Sequence, residues 1–214
     1  MKKNYSYIGI SFIILLFGIY AVPKIISHFQ KSDLVTFKKA PYFEFINQNG
    51  KIITNKNFEG KVYVVEFFFT TCPTICPIMN REMLTIQNKF FGNPNFGIAS
   101  ISITPNTDTP TVLKEYAKNN GITHRNWHLL TGKTENVVYK LANNGFKLYA
   151  GKGDEDHGGF EHSGLFALVD KQGYFRSRKD AHGNPILYYR AIEESGFANQ
   201  IQELKEDIKL LLNE

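Results

Sequence analysis

The most apolar stretch of the chain lies at its start. Residues Tyr5 to Val22 carry no charge and include the run Phe12, Ile13, Ile14, Leu15, Leu16, Phe17, with Lys2 and Lys3 just before them. A helix needs about 20 largely apolar residues to cross a bilayer, and this segment reaches that length when its end near Pro23 to Ile26 lies in the interface. A cleaved secretory signal shares the basic start and apolar middle but ends in a small-residue cleavage site. No AxA pattern follows here, and no cysteine precedes Cys72 that could carry a lipoprotein anchor. The pattern favours an uncleaved membrane anchor over 1–26 and a polar tether over 27–39. The domain then spans 40–214 and is exported to the periplasm or outer side of a bacterial inner membrane, although Lys24, Lys31, Lys38 and Lys39 blur the lysine asymmetry that fixes orientation. No Arg-rich, acid-poor presequence of the mitochondrial kind precedes the apolar run.

Beyond the tether, strand-like and helix-like patterns alternate. Tyr42 to Ile46 alternates apolar and polar positions, and Asn49-Gly50 marks a hairpin turn. Val62 to Phe69 is an apolar, β-rich run of the kind that forms a strand buried on both faces. The patterns predict a helix from Pro77 to Phe90, a strand over Gly97 to Ile103, and a helix opening at Thr109-Pro110 and closing at Gly121. A short strand at Trp127 to Leu130, a helix over Thr134 to Asn143, a hairpin of Leu165 to Val169 with Tyr174 to Arg178, and an amphipathic helix over Ile201 to Leu212 complete the order. This is an α/β fold with a central mixed β-sheet flanked by helices.

Composition narrows the chemistry. A 214-residue chain with 43% hydrophobic residues builds a core without needing a disulfide or metal to fold, which leaves its two cysteines free for function. The net charge of +5 comes from basic residues scattered among 20 acidic ones, not from a basic stripe with interleaved aromatics, so nucleic acid is not indicated as a partner. The basicity is consistent with an anionic bilayer or an acidic partner nearby.

The reactive segment is Thr70-Thr71-Cys72-Pro73-Thr74-Ile75-Cys76-Pro77, where a buried strand runs into a helix. Open α/β sheets place their sites at the carboxyl ends of strands, and a helix N-terminus favours a thiolate over a thiol. In an oxidising compartment the pair is a disulfide, a redox couple or a set of metal ligands. A spacing of four puts both side chains on one face if the first helical turn includes both. It sits near the upper limit of disulfide geometry, which metal binding tolerates better. Two soft thiolates select Cu(I), zinc or iron–sulfur chemistry, and an added imidazole with no fourth strong ligand favours copper over structural zinc. Of His28, His124, His128, His157, His162 and His182, His162 stands out because it immediately precedes the strand Leu165 to Val169. In a thioredoxin-like sheet that position lies beside the cysteine turn, where thioredoxins carry a cis-proline. His157, in a Gly-flanked loop, is the weaker alternative. Met79 and Met83 have the look of a soft copper pair but fit core packing better. Trp127 reads as core, and Phe67-Phe68-Phe69 as buried strand with one ring positioned to shield a metal from water.

Several motifs together resemble the SCO/SenC copper proteins over nearly the whole exported domain. They are the CPxxCP core Cys72 to Pro77 after an apolar strand, Ser102-Ile103-Thr104-Pro105 followed by Asp108-Thr109-Pro110, the turn Leu129-Leu130-Thr131-Gly132, the acidic stretch Gly153-Asp154-Glu155-Asp156, and His162 ahead of its strand. The resemblance implies a thioredoxin-like fold, an N-terminal transmembrane helix, and copper, as Cu(I) with Cu(II) as a second state, held by Cys72, Cys76 and His162. It further implies a metallochaperone, not an enzyme, that helps assemble the copper centre of cytochrome c oxidase with a copper-accepting oxidase subunit as partner. Thr104 departs from the family's DPxxD segment, whose first acidic position it occupies, while Asp108 keeps the second. The acidic stretch is a docking element for a basic partner or simply a solvated loop. A second reading keeps Cys72 and Cys76 as redox thiols of an oxidoreductase that reduces a partner copper protein. A peroxidase is disfavoured because the PxxxTxxC pattern is absent before Cys72.

Overall fold

The computed structural model describes residues 6–29, 32–154, 158–193 and 196–214, the side chains of 6–8 and 23–29 excepted. It divides into a compact unit, Leu34–Leu212, and a second unit made of the N-terminal segment to Asp33 with the last two residues.

The N-terminal segment forms one helix, α1 (Ser6–Phe29), whose described apolar side chains from Ile10 to Val22 are exposed. The helix continues past Pro23 and beyond the expected end at Ile26. Among the described residues no helix is long and apolar enough to cross a membrane. The transmembrane helix expected over 1–26 is thus observed as a helix of 24 residues, with no membrane span among its described residues.

The tether is shorter than expected, because β1 (Val35–Lys39) already belongs to the sheet. Val35 and Phe37 turn toward the protein and Thr36 and Lys38 turn out, a period of two that the Lys38-Lys39 pair disguises as polar linker. Exposed lysines also suit an outer strand, whose open edge they protect from pairing with other chains.

The hairpin of β2 (Glu44–Asn47) and β3 (Ile52–Thr54) follows, its Gly50 at φ 73° supplying the left-handed turn conformation. The centre is built from β4 (Val62–Phe68), β5 (Phe96–Ser102) and β6 (Trp127–Thr131), all parallel. Every residue of β4 and β5 is buried, as the unbroken apolar run predicts. Beyond β4 the sheet continues through β9 (Leu165–Val169) and β10 (Tyr174–Ser177), with the short β11 (Tyr189–Arg190) beside β9. The sheet runs β1-β10-β9-β4-β5-β6-β2-β3, with β11 paired to β9. It is the mixed sheet the sequence predicts.

The helices are α2 (Cys76–Lys89), α3 (Pro110–Asn119), α4 (Glu135–Lys140) and α5 (Ile201–Asn213). The Thr109 hydroxyl caps α3 by accepting from the Val112 N–H at 3.4 Å. The helix expected over Thr134 to Asn143 widens into a π-helical turn, Leu141–Phe146, closed by Lys147 in the left-handed region. Asn143 accounts for the wider turn. Its amide donates to Ala150 O at 2.7 Å and accepts from Ala150 N at 3.1 Å, tying the turn to β7 (Ala150–Lys152). With β8 (Phe160–His162), β7 forms a separate two-stranded sheet.

Helix α5 packs through Ile201, Leu204, Ile208 and Leu211. Among these apolar residues lies buried Asp207, which accepts from Arg178 Nε at 2.9 Å, from the second Arg178 nitrogen at 2.8 Å and from the Tyr189 hydroxyl at 2.6 Å. Removing Asp207 orphans the buried Tyr189 hydroxyl and two Arg178 donors, while Glu206 still pairs with Arg178 at 3.0 Å. Asp207→Ala is expected to destabilise the domain by about 2 kcal/mol, read as a lower urea midpoint.

Candidate metal centre

Strand β4 delivers the chain to the cysteine turn. Proline disfavours helical geometry in the residue before it, and Cys72 precedes Pro73. Helix α2 accordingly starts only at Cys76, and Cys72 lies in the preceding turn, not on a shared helical face. The turn closes back on itself, with Cys72 N–H donating to Phe69 O at 3.3 Å. Ile75, the N-cap of α2, supplies no side-chain cap. The Cys76 N–H donates instead to Cys72 Sγ at 3.5 Å, and Thr74 Oγ1 lies 3.6 Å from the same sulfur.

One buried carboxylate fixes the position of this turn. Asp108 accepts from Thr70 N–H at 3.1 Å, Thr70 Oγ1 at 2.5 Å, Ser102 Oγ at 2.6 Å and Thr104 Oγ1 at 3.0 Å. Thr104, at the first position of the DPxxD segment, donates its hydroxyl to the acid that is retained.

His162 ends β8 and reaches the cysteines from the opposite side. Its Nε2 lies 3.0 Å from Cys76 Sγ and its Nδ1 lies 3.2 Å from Ser163 O. A carbonyl can only accept, so Nδ1 carries the proton and Nε2 presents its lone pair to the sulfurs, the usual arrangement of a ligating imidazole. Cys72 Sγ, Cys76 Sγ and a ring nitrogen of His162 lie within 4.8 Å of one another, all three residues buried. The Phe69 ring meets the imidazole edge-on at 5.8 Å and 86°, where it keeps water from one side.

The two thiols share a proton unequally. Cys72 is held far below the ordinary thiol range, chiefly by the hydrogen bond from the Cys76 side chain and also by that from the Cys76 N–H. Cys76 is pushed up by burial and by the negative Cys72 beside it. The pair thus favours a thiolate at Cys72 and a thiol at Cys76, and both cysteines are free of disulfide.

The other expected residues fall elsewhere. Met79 and Met83 are fully buried on α2, which makes them core packing. Trp127 is core, its Nε1–H donating to Ser100 Oγ at 2.9 Å. His124 sits against Phe91 and Phe96. His128 packs edge-on to Phe58, and burial depresses its pKa to about 4. His182 is exposed in a turn. Asp154 is exposed in its loop. His157, Glu155 and Asp156 lie outside the described residues, as does the side chain of His28.

One residue of the site was not singled out from sequence. Glu66, in the middle of β4, is buried and accepts from Ser100 Oγ at 2.6 Å. It shares a small internal cavity with Cys76 and Tyr116. The signal was a single charged residue inside an otherwise apolar run.

Two stability predictions follow from these buried acids. Asp108→Ala orphans the donors that position the cysteine turn and is expected to cost about 3 kcal/mol, with Asp108→Asn in between, both read from urea denaturation. Burial raises the Glu66 pKa from 4.5 to about 7, so the folded state holds its proton where the unfolded chain has released it. Stability is then lost as pH rises from 4.5 to about 7, by a total of about 3 kcal/mol. Glu66→Gln, which keeps the polar contact to Ser100, is expected to lose this contribution and to melt higher than wild type above that window.

The chain is similar to known proteins over most of its length. The family model described as SCO1/SenC matches residues 33–195. The SCO1 protein homolog of Bacillus subtilis is 31% identical over 177 residues, covering 82% of this chain and 86% of that protein. A solved structure of BsSco, described as a member of the Sco family of cytochrome c oxidase assembly proteins with a disulfide switch, superposes with a TM-score of 0.68 at 28% identity and covers 86% of this chain and 98% of that one. The structure of Arabidopsis thaliana ScoI with copper bound gives a TM-score of 0.60 at 25% identity, covering 81% and 98%. The expected thioredoxin-like α/β architecture is thus the architecture of these relatives. With the match spanning most of its length, the chain belongs to the SCO1/SenC family.

Proposed function

We propose that this chain binds one copper ion between Cys72 Sγ, Cys76 Sγ and His162 Nε2 and delivers it to a copper-accepting protein, an oxidase subunit being the expected recipient. The observation that carries the reading is the convergence of two sulfurs and one imidazole nitrogen within 4.8 Å in a buried setting. Two thiolates and one imidazole suit Cu(I), and the nitrogen also suits Cu(II). No fourth strong ligand joins them among the described residues, which disfavours structural zinc. The copper-bound relative and the relative described as an oxidase assembly protein support the same reading.

Loading requires Cys76 to lose its proton, and release runs by ligand exchange, with the imidazole leaving first and the thiolates surrendering the ion one after the other. Exchange with an oxidised disulfide of a partner converts the Cys72 thiolate and Cys76 thiol to a Cys72–Cys76 disulfide, the two electrons and one proton leaving the partner with a thiolate and a thiol, and because the sulfur donors are then gone, redox state gates loading. The second reading, a thiol–disulfide oxidoreductase acting on a partner's cysteines, draws on the stabilised Cys72 thiolate and uses the same two residues. Residues 1–26 are proposed to hold the chain at a bacterial inner membrane with the domain that begins at Leu34 on the outer side.

Anaerobic Cu(I) titration of the reduced full chain tests the proposal. One equivalent is expected to bind wild type tightly and to be lost in Cys72→Ala and Cys76→Ala. His162→Ala is expected to bind at least about 100-fold more weakly, beyond the effect of losing an outer-shell partner. A His162→Ala protein that binds copper like wild type contradicts the ligand set and leaves the oxidoreductase reading in front.

A further inference from the structure

A groove of about 410 Å³ opens beside the sulfur–imidazole cluster. It starts at Cys72, passes His162 and runs over Ile75, Phe160, Leu165 and Ile192, and Cys76 takes no part in its wall. Cys72 and His162 are therefore the ligands that an incoming group meets. The floor depends on bare backbone at Gly164, where an added Cβ would sit 2.8 Å from Ile192 Cδ1.

Two polar features of this groove are unused by the metal site. Ser163 Oγ is buried, lines the groove and has no hydrogen-bond partner, a situation that costs free energy unless a ligand completes it. Arg190, also in the wall, is held in place from behind. Its Nε donates to Ala198 O at 3.1 Å, and its guanidinium lies 5.2 Å from the Phe197 ring, a cation–π contact. Among the described residues no carboxylate pairs with it, which leaves the terminal nitrogens as donors. Phe197 and, in the groove wall, Tyr149 are exposed aromatics, the residue types that anchor protein interfaces together with arginine. Glu161, exposed, is the acidic residue of the lining, so it repels an acid on its own side and directs one toward Arg190.

We propose that this groove docks an extended acidic segment of the copper-accepting protein. Its apolar side chains cover Ile75 and Ile192, a carboxylate pairs with Arg190, a main-chain group completes Ser163 Oγ, and its metal-binding thiol comes to Cys72. The net charge of +5 favours such a partner over longer range. The identity of the cargo rests on the copper reading, whereas the docking itself needs no metal.

The test uses the metal-free, reduced full chain in detergent micelles and fluorescence anisotropy of a labelled, end-blocked peptide with alternating Leu and Asp around a central Ser. Matched peptides carry Asn or Lys in place of Asp. Wild type is expected to bind the Asp peptide about tenfold more tightly than the Asn peptide, as one charge-assisted bidentate contact supplies. Arg190→Ala should abolish that preference, Arg190→Glu should shift it to the Lys peptide, and Glu161→Gln should tighten Asp binding. Copper affinity should stay at the wild-type value in Arg190→Ala. Equal binding of the Asp and Asn peptides by wild type, or an Asp preference that survives in Arg190→Ala, overturns the proposal. So does sedimentation showing a wild-type dimer that Arg190→Ala dissolves, since a second copy then occupies the groove. Loss of docking with copper binding intact sinks this proposal alone, and loss of copper binding with docking intact sinks only the copper reading.

Discussion

The site depends on a single buried carboxylate. Asp108 lies beyond the end of β5, yet it gathers donors from the cysteine turn and from its own segment. Two sulfurs and an imidazole nitrogen do not converge by hydrophobic packing, which is nondirectional. They converge because Thr70 is pinned two residues ahead of Cys72, because Pro73 delays the helix, and because the hairpin of β7 and β8 brings His162 in from the far side. A fully satisfied polar cluster of this kind is rigid and specific in a way an apolar contact is not.

The same economy governs protons. With Nδ1 of His162 committed to a backbone carbonyl, Nε2 faces Cys76, and the Cys76 N–H faces Cys72. The hydrogen bonds favour a thiolate at the more accessible sulfur and a thiol at the more enclosed one. Such a site is already partly deprotonated for a soft cation, and the asymmetry gives the two cysteines different roles, Cys72 toward the groove and Cys76 toward the interior. Glu66 adds a second buried acid within electrostatic range of Cys76, placed there by the strand that leads into the turn.

Much of this was legible in the sequence, and the exceptions have physical causes. The buried parallel strands announced themselves because strands covered on both faces must be apolar throughout. The Thr109-Pro110 helix start and the Gly50 turn were visible because they depend on local backbone chemistry. Cys72, Cys76 and His162 were identified from spacing, strand context and family resemblance, and the structure brings them together. Strand β1 was hidden by the Lys38-Lys39 pair, acceptable only because that strand is solvated on one side. The π-helical turn was invisible because Asn143 acts through Ala150, and β7, β8 and β11 were too short for periodicity to register. The condition for a shared helical face, a first turn that includes both cysteines, is not met, because the helix begins at Cys76. Glu66 draws its interest from Ser100 and Arg190 from the groove it shares with Tyr149 and Glu161, neighbours distant in sequence that no local pattern reveals.

The central claim is the S₂N ligand set, and X-ray absorption at the copper edge of the loaded full chain tests it most directly. The account predicts two sulfur scatterers and one imidazole nitrogen in wild type, with the imidazole contribution gone in His162→Ala. A sulfur-only shell in wild type, or an imidazole signal that persists without His162, would contradict it.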